Sequence, residues 1–176
     1  SRLEAAFRGH GLDPARYLLS IPWLSPARFL TLLDACDVYL DCPAFSGYTT
    51  AWMALHRGLP IVTLEGQYMR QRLAAGLLRR AGLTATVASS PDEYVAIAAE
   101  IARTCLDDTR RADLRATVRA AAASVDDDVR VVRAFEECLA SALAARGVGA
   151  TGAPARPEPL AADSFALAES GTTAQA

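Results

Sequence analysis

Gly47, Thr49 and Thr50 form the most chemically suggestive cluster in the chain, within SGYTTAW at residues 46–52. The segment follows an apolar run and opens a helix. A helix start offers free N–H groups and the positive end of the helix dipole. Gly47 would let backbone approach a ligand closely, and Thr49 and Thr50 would add two hydroxyl donors. Together they read as a cradle for a pyrophosphate. The same residues admit a simpler account, in which one threonine caps the helix and the other is incidental. A second cluster is EGQYMRQR at residues 65–72. Here Glu65 is either an acid, a ribose-binding carboxylate or a loop charge. Gly66 breaks the preceding strand. Arg70 or Arg72 either points at a phosphate or belongs to a solvated helix face.

Other candidate groups carry less. His10 and His56 are the only two histidines, and neither sits in a nucleophile or metal pattern. The Asp107–Asp108 and Asp126–Asp128 runs read as capping and solvated charge. Trp23 and Trp52 read as core or rim, and Phe29 as core or as a stacking surface for a flat base. No Walker loop, GxSxG or HExxH occurs. Cys36, Cys42, Cys105 and Cys138 have no zinc-ligand spacing and are expected to be buried free thiols. No metal and no cofactor are expected. All 18 cationic residues are arginine, so no lysine can act as phosphate clamp or base. The net charge of −2 gives no basic footprint for nucleic acid. No apolar run is long enough for a membrane span and no signal peptide is read, so a cytoplasmic location is expected. The start at Ser1, inside helix-like sequence, reads as the C-terminal piece of something longer.

These residues need elements to position them. A hydrophobic fraction of 52% suffices for one core. Helices are expected over 2–9, from Pro26 with Ser25 as N-cap, over 49–57, over 69–81, from Pro91, over 109–123, and after Asp128. Phe29, Leu30, Leu32 and Leu33 would face the core from the second of these. Ser90 and Glu93 suggest a capping box, with Val95, Ala98, Ala102 and Leu106 as that helix's apolar stripe. Val132, Phe135, Leu139 and Leu143 share one side of the last helix. Strands are expected at 16–21, 38–41, 61–64 and 86–88. Continuous apolar strands alternating with helices imply an α/β fold, a Rossmann-like parallel sheet with helices on both faces. Ligands of such sheets bind beyond the strands' carboxyl ends, at loops 42–48 and 65–68. Residues 1–146 are taken as one lobe, and 147–176, poor in large apolar residues, as a disordered tail.

The stretch LLDACDVYLDCPAFSGYTTAWMALHRGLPIVTLEGQYMRQRLAAGLLRRAGL, followed by SSPDEYVAIAAEIA, resembles the C-terminal catalytic lobe of protein O-GlcNAc transferases. It is most similar to their bacterial SPINDLY-like members. The resemblance runs over residues 2–143 and rests on features in order: Asp37, Leu40–Asp41, Pro43, Gly47, Thr49–Thr50, Gly58, Pro60, Gly66, Arg72, Gly82–Leu83 and Glu93–Tyr94.

The resemblance implies the C-terminal part of a GT-B glycosyltransferase behind tetratricopeptide repeats, with this lobe holding the UDP of UDP-GlcNAc. Thr49 and Thr50, with Gly47 and Tyr48, would then meet the pyrophosphate. Leu24 and Phe29 would contact the uracil. Met53 falls where the family has an acidic residue for the ribose, and Pro26 where it has a lysine. Glu65, Gly66 and Arg72 would be phosphate or loop contacts. Catalytic residues, the acceptor-facing lobe and a protein acceptor would all be supplied from outside the chain, so the fragment alone is expected to be inactive. The competing expectation is a degenerate lobe that has lost nucleotide binding and serves as a structural or partner-docking module. A third is a transferase for another nucleotide sugar.

Overall fold

The computed structural model describes residues 1–146. Two compact units divide after Asp128. The first holds helices α1 (Arg2–Gly9), α2 (Pro14–Tyr17), α3 (Pro26–Ala35), α4 (Thr49–His56), α5 (Leu73–Arg80), α6 (Pro91–Thr104) and α7 (Asp108–Ala123). It also holds strands β1 (Tyr39–Leu40), β2 (Ile61–Leu64) and β3 (Val87–Ala88). Short 3₁₀ turns cover Met69–Gln71 and Thr84–Thr86. The strands are parallel in the order β1-β2-β3, with Tyr39 opposite Ile61 and Thr63 opposite Val87.

The short central strand separates two cores because neighbouring strand residues point to opposite faces. Ile61 enters a cluster with Leu33, Leu55 and Leu78 from α3, α4 and α5, joined by Val118 of α7. Val62 enters another with Ile101 and Cys105. Helices therefore cover both faces, as expected for an all-parallel sheet. Tyr39, Asp41, Ile61 and Thr63 share one face by the same alternation.

Local signals end the helices where the sequence suggests. Gly58 has φ +70°, and the Leu59 and Gly58 N–H groups donate to the carbonyls of Ala54 and Leu55. That pattern closes α4 and favours glycine. A β-carbon at Gly58 would also meet the Arg115 carbonyl oxygen at 2.7 Å, so α4 and α7 approach here backbone to backbone. Arg115 is buried, and its guanidinium donates to the carbonyls of Cys36 (2.8 Å), Leu33 (3.4 Å) and Arg57 (3.3 Å). It therefore serves the C-terminal ends of α3 and α4 at once.

Four expectations need correction. Residues 16–21 form no strand: Asp13 caps α2 by accepting from Ala15 N–H, and the chain then runs irregularly to Ser25. The Asp-Pro helix start outweighs the apolar run, and among the described residues β1 pairs only with β2. The buried stripe of α6 is Tyr94, Ile97, Ala98, Ile101 and Cys105, while Val95, Ala102 and Leu106 are exposed. Both stripes have helical spacing, and packing of α6 against β2 and β3 selects between them. The Ser90 cap forms, but the Glu93 carboxylate accepts from Ser89 N–H and Oγ, not from Ser90 N–H. Among the cysteines only Cys105 is buried; Cys36 is half-buried and Cys42 and Cys138 are exposed. Asp126 and Asp128 also do more than load a helix start, since they pair with His56 and Arg80.

The second unit contains α8 (Val129–Ala145). Val132, Phe135, Leu139 and Leu143 are exposed on it, and Arg133 pairs with Glu136 at 2.8 Å. The tail expected over 147–176 lies outside the described residues.

Candidate functional site

The loop after β1 is built on one buried carboxylate. Asp41 is 1% exposed and accepts 2.7 Å hydrogen bonds from the Ser46 hydroxyl, the Gly47 N–H and the Thr63 hydroxyl. Ser46 Oγ in turn accepts from Ala74 N–H at the start of α5. The Tyr94 hydroxyl donates to the Asp41 carbonyl. A carboxylate out of water demands such donors, and they come from the loop and the neighbouring strand, while α6 supplies the donor to the backbone carbonyl. They hold residues 46–48 against the sheet and so aim the start of α4.

That start carries no side-chain cap. Tyr48 is the N-cap residue and its side chain makes no capping bond. Neither Thr49 nor Thr50 caps the helix, so the simple reading of these hydroxyls does not hold. Thr50 Oγ1 lies 2.8 Å from the Tyr39 hydroxyl. Burial, with the Asp41 charge adding to it, pushes the Tyr39 phenol above its ordinary value. The phenol stays protonated, and when it donates to Thr50, the Thr50 hydrogen is free to turn outward. Gly47 is required here for packing: a β-carbon would meet the Tyr39 hydroxyl at 2.4 Å and Thr50 Oγ1 at 2.7 Å.

A cleft of about 560 Å³ opens beside this helix start. Ile21, Pro22, Trp23, Leu24, Pro26, Phe29 and Leu32 line it from one stretch, and Thr49, Thr50 and Met53 from α4. Trp23 is 99% exposed and forms its rim. Phe29 both packs on the core and faces the cleft. The irregular segment that replaced the expected strand thus becomes a wall. Five expected site residues, Leu24, Phe29, Thr49, Thr50 and Met53, converge here from two stretches some twenty residues apart. The volume suits a ligand of nucleotide size.

Glu65, Gly66 and Arg72 lie elsewhere. Arg72 Nε donates to Glu65 Oε1 at 2.9 Å and Arg79 Nη1 to the same oxygen at 2.6 Å, while Arg79 Nη2 takes Oε2. Hydrogen bonds from Arg79 first, then Arg72, hold the Glu65 carboxyl at about 2, down from 4.5. The carboxylate is 19% exposed and both its oxygens are occupied. A folded-state pKa below the unfolded value stabilises above about 4.5, and the gain is lost as pH falls toward about 2. The urea midpoint of Glu65→Gln should therefore lie below that of the unaltered chain at pH 6, and the gap should close between pH 4.5 and pH 2. A gap independent of pH would show that the ion cluster is not its cause. Gly66 sits against Gln71, whose Oε1 a β-carbon would meet at 2.5 Å. Gln71 Nε2 donates to the Pro43 carbonyl and Ser46 N–H to the Arg70 carbonyl. This second loop braces the first. Arg70 lies over the Tyr68 ring, 4.6 Å from its centroid.

Composition and spacing alone do not mark Asp41, Ser46, Thr63 and Tyr39 as site residues. A signal existed: Asp41 and Thr63 are polar residues within or ending otherwise apolar strand runs. Among the described residues, no three His, Cys, Asp or Glu side chains gather to hold a metal, and no helix is long and apolar enough to cross a membrane.

Comparisons with known proteins bear on the fold and the family. A probable UDP-N-acetylglucosamine–peptide N-acetylglucosaminyltransferase SPINDLY from Petunia hybrida is 32% identical over 109 residues, 62% of this chain and 11% of its own length. A UDP-N-acetylglucosamine–peptide N-acetylglucosaminyltransferase from Caenorhabditis elegans is 32% identical over 108 residues, covering 61% of this chain and 9% of the relative. The structure of a mutant O-GlcNAc transferase from Thermobaculum terrenum superposes with a TM-score of 0.66 at 34% identity, over 78% of this chain and 26% of that one. The chain thus spans about a tenth of the length of the curated relatives it matches. The pattern of glycosyl transferase family 41 matches residues 11–134, a span that contains every strand among the described residues, the Asp41 hub and the whole cleft, and the chain belongs to that family.

Proposed function

We propose that this chain is the donor-holding part of a protein O-glycosyltransferase, which moves GlcNAc or a related sugar from a UDP-sugar to Ser or Thr hydroxyls. The observation that carries this reading is the uncapped start of α4, with Thr49 and Thr50, at one end of a largely apolar cleft that also contains Phe29. The diphosphate would lie on the helix N–H groups and the two hydroxyls, and the base against Leu24 and Phe29. In the transfer, the acceptor oxygen bonds to the anomeric carbon as the bond to UDP breaks, and UDP leaves with that electron pair. Donors aimed at the diphosphate stabilise the growing charge. The acceptor proton passes to a base, and an acceptor-facing lobe and repeats that present the protein substrate would complete the enzyme.

Titration calorimetry of UDP into the chain tests this. We expect saturable binding, weakened at least about tenfold in Thr49→Val/Thr50→Val, since hydrogen bonds to a charged group contribute about 1.5–3 kcal/mol each. Far-UV circular dichroism should show both proteins folded. An absence of saturable heat from a folded sample would sink the donor reading and favour a non-catalytic docking lobe.

A further inference from the structure

The cleft's polar groups gather at one end. Thr49, Thr50 and Met53 lie on one face of α4, with Met53 about one turn, about 6 Å, along from Thr49. Beyond the two hydroxyls, and the indole N–H of the fully exposed Trp23 at the rim, the side chains that line it are hydrocarbon and thioether, Leu24, Phe29, Leu32 and Met53 among them. Among the described residues that line the cleft, none carries a carboxylate, an amide or a cation. The nearby carboxylates are engaged. Asp41 lies under Gly47 with its oxygens turned to Ser46, Gly47 and Thr63, and Glu65 is held by two arginines.

On the reading that a nucleoside diphosphate occupies this cleft, its pentose, the group next to the diphosphate, falls over the turn that carries Met53. A thioether is at best a weak hydrogen-bond acceptor. Strong discrimination for a hydroxyl requires a buried partner that is left unpaired when the hydroxyl is absent. No such partner is present on this wall. We infer that the chain does not read the 2′-hydroxyl of its nucleotide and accepts 2′-deoxynucleoside diphosphates as readily as ribonucleotides. Met53 is the residue that sets this tolerance.

The test compares UDP with 2′-deoxy-UDP by calorimetry on the whole 176-residue chain. Dissociation constants within about threefold of each other are expected, since a 2′-hydroxyl without a protein partner contributes little. Met53→Glu, which places an acceptor at this turn, should then prefer UDP by at least tenfold, and Met53→Gln serves if the charged variant fails to fold. Preference of the unaltered chain for UDP by tenfold or more would overturn the inference while leaving the donor reading intact. So would a folded Met53→Glu or Met53→Gln variant that still treats the two nucleotides alike, because the pentose would then lie elsewhere. Binding of neither nucleotide to the folded chain would overturn both readings together.

Discussion

Asp41→Ala should remove about 3–7 kcal/mol of stability, because it strands two buried hydroxyl donors at about 1–3 kcal/mol each and the half-buried Gly47 N–H at about 1 kcal/mol. The Ser46 hydroxyl, the Gly47 N–H and the Thr63 hydroxyl all converge on this carboxylate at 2.7 Å. Domains of this size are stable by only about 5–15 kcal/mol, so the variant should be largely unfolded at modest urea. Asp41→Asn should cost less, since one oxygen remains. It cannot be neutral, however, because the new amide N–H₂ must face one of three donors. Ser46 has little freedom to reverse, as its Oγ already accepts from Ala74 N–H. Urea unfolding followed by circular dichroism measures both. A loss below about 1 kcal/mol for Asp41→Ala would show that the loop does not depend on this hub. Since the hub fixes residues 46–48, UDP affinity should fall in Asp41→Asn under conditions where that variant is still folded.

The second large effect is expected at Arg115, which does not line the cleft. Arg115→Met keeps the apolar stem but deletes a buried guanidinium that serves three carbonyls. The expected loss is about 2–3 kcal/mol, with most weight on the bond to Cys36 because charge-assisted bonds weaken as they lengthen. Arg115→Lys should recover less than half, because an ammonium lacks the planar fork that spans the ends of α3 and α4. The readout is again the urea midpoint. Equal stability of Arg115→Met and the unaltered chain would mean that water replaces the guanidinium at those carbonyls. Because Arg115 binds the carbonyl of Arg57, at the end of α4 opposite Thr49, a loosened α4 should also be visible as faster amide exchange along 52–57.

What the sequence alone determined is what depends on near neighbours. Pro26 starts a helix although the Ser25 side chain makes no cap bond, Ser90-Pro91 starts another with its cap formed, Gly58 and Gly82 end helices, and IVTL at 61–64 is a buried strand, because caps, proline geometry and strand alternation act within a few residues. Parallel order follows from those alternations. The cluster Gly47, Thr49 and Thr50 could be found from composition and spacing in the same way. The tertiary structure decided everything that rests on partners distant in the chain. Asp41 reads as the last residue of a strand until Thr63 and Tyr94, 22 and 53 residues away, close on it. Glu65 reads as a free carboxylate until Arg79, 14 residues on, takes it. Two apolar stripes on α6 have equal periodicity, and only packing against β2 and β3 chooses Ile97 and Ile101 over Val95 and Leu106. Helical spacing states which residues share a face. Which face is buried is set by contacts whose loop-closure entropy is repaid only when the whole sheet forms.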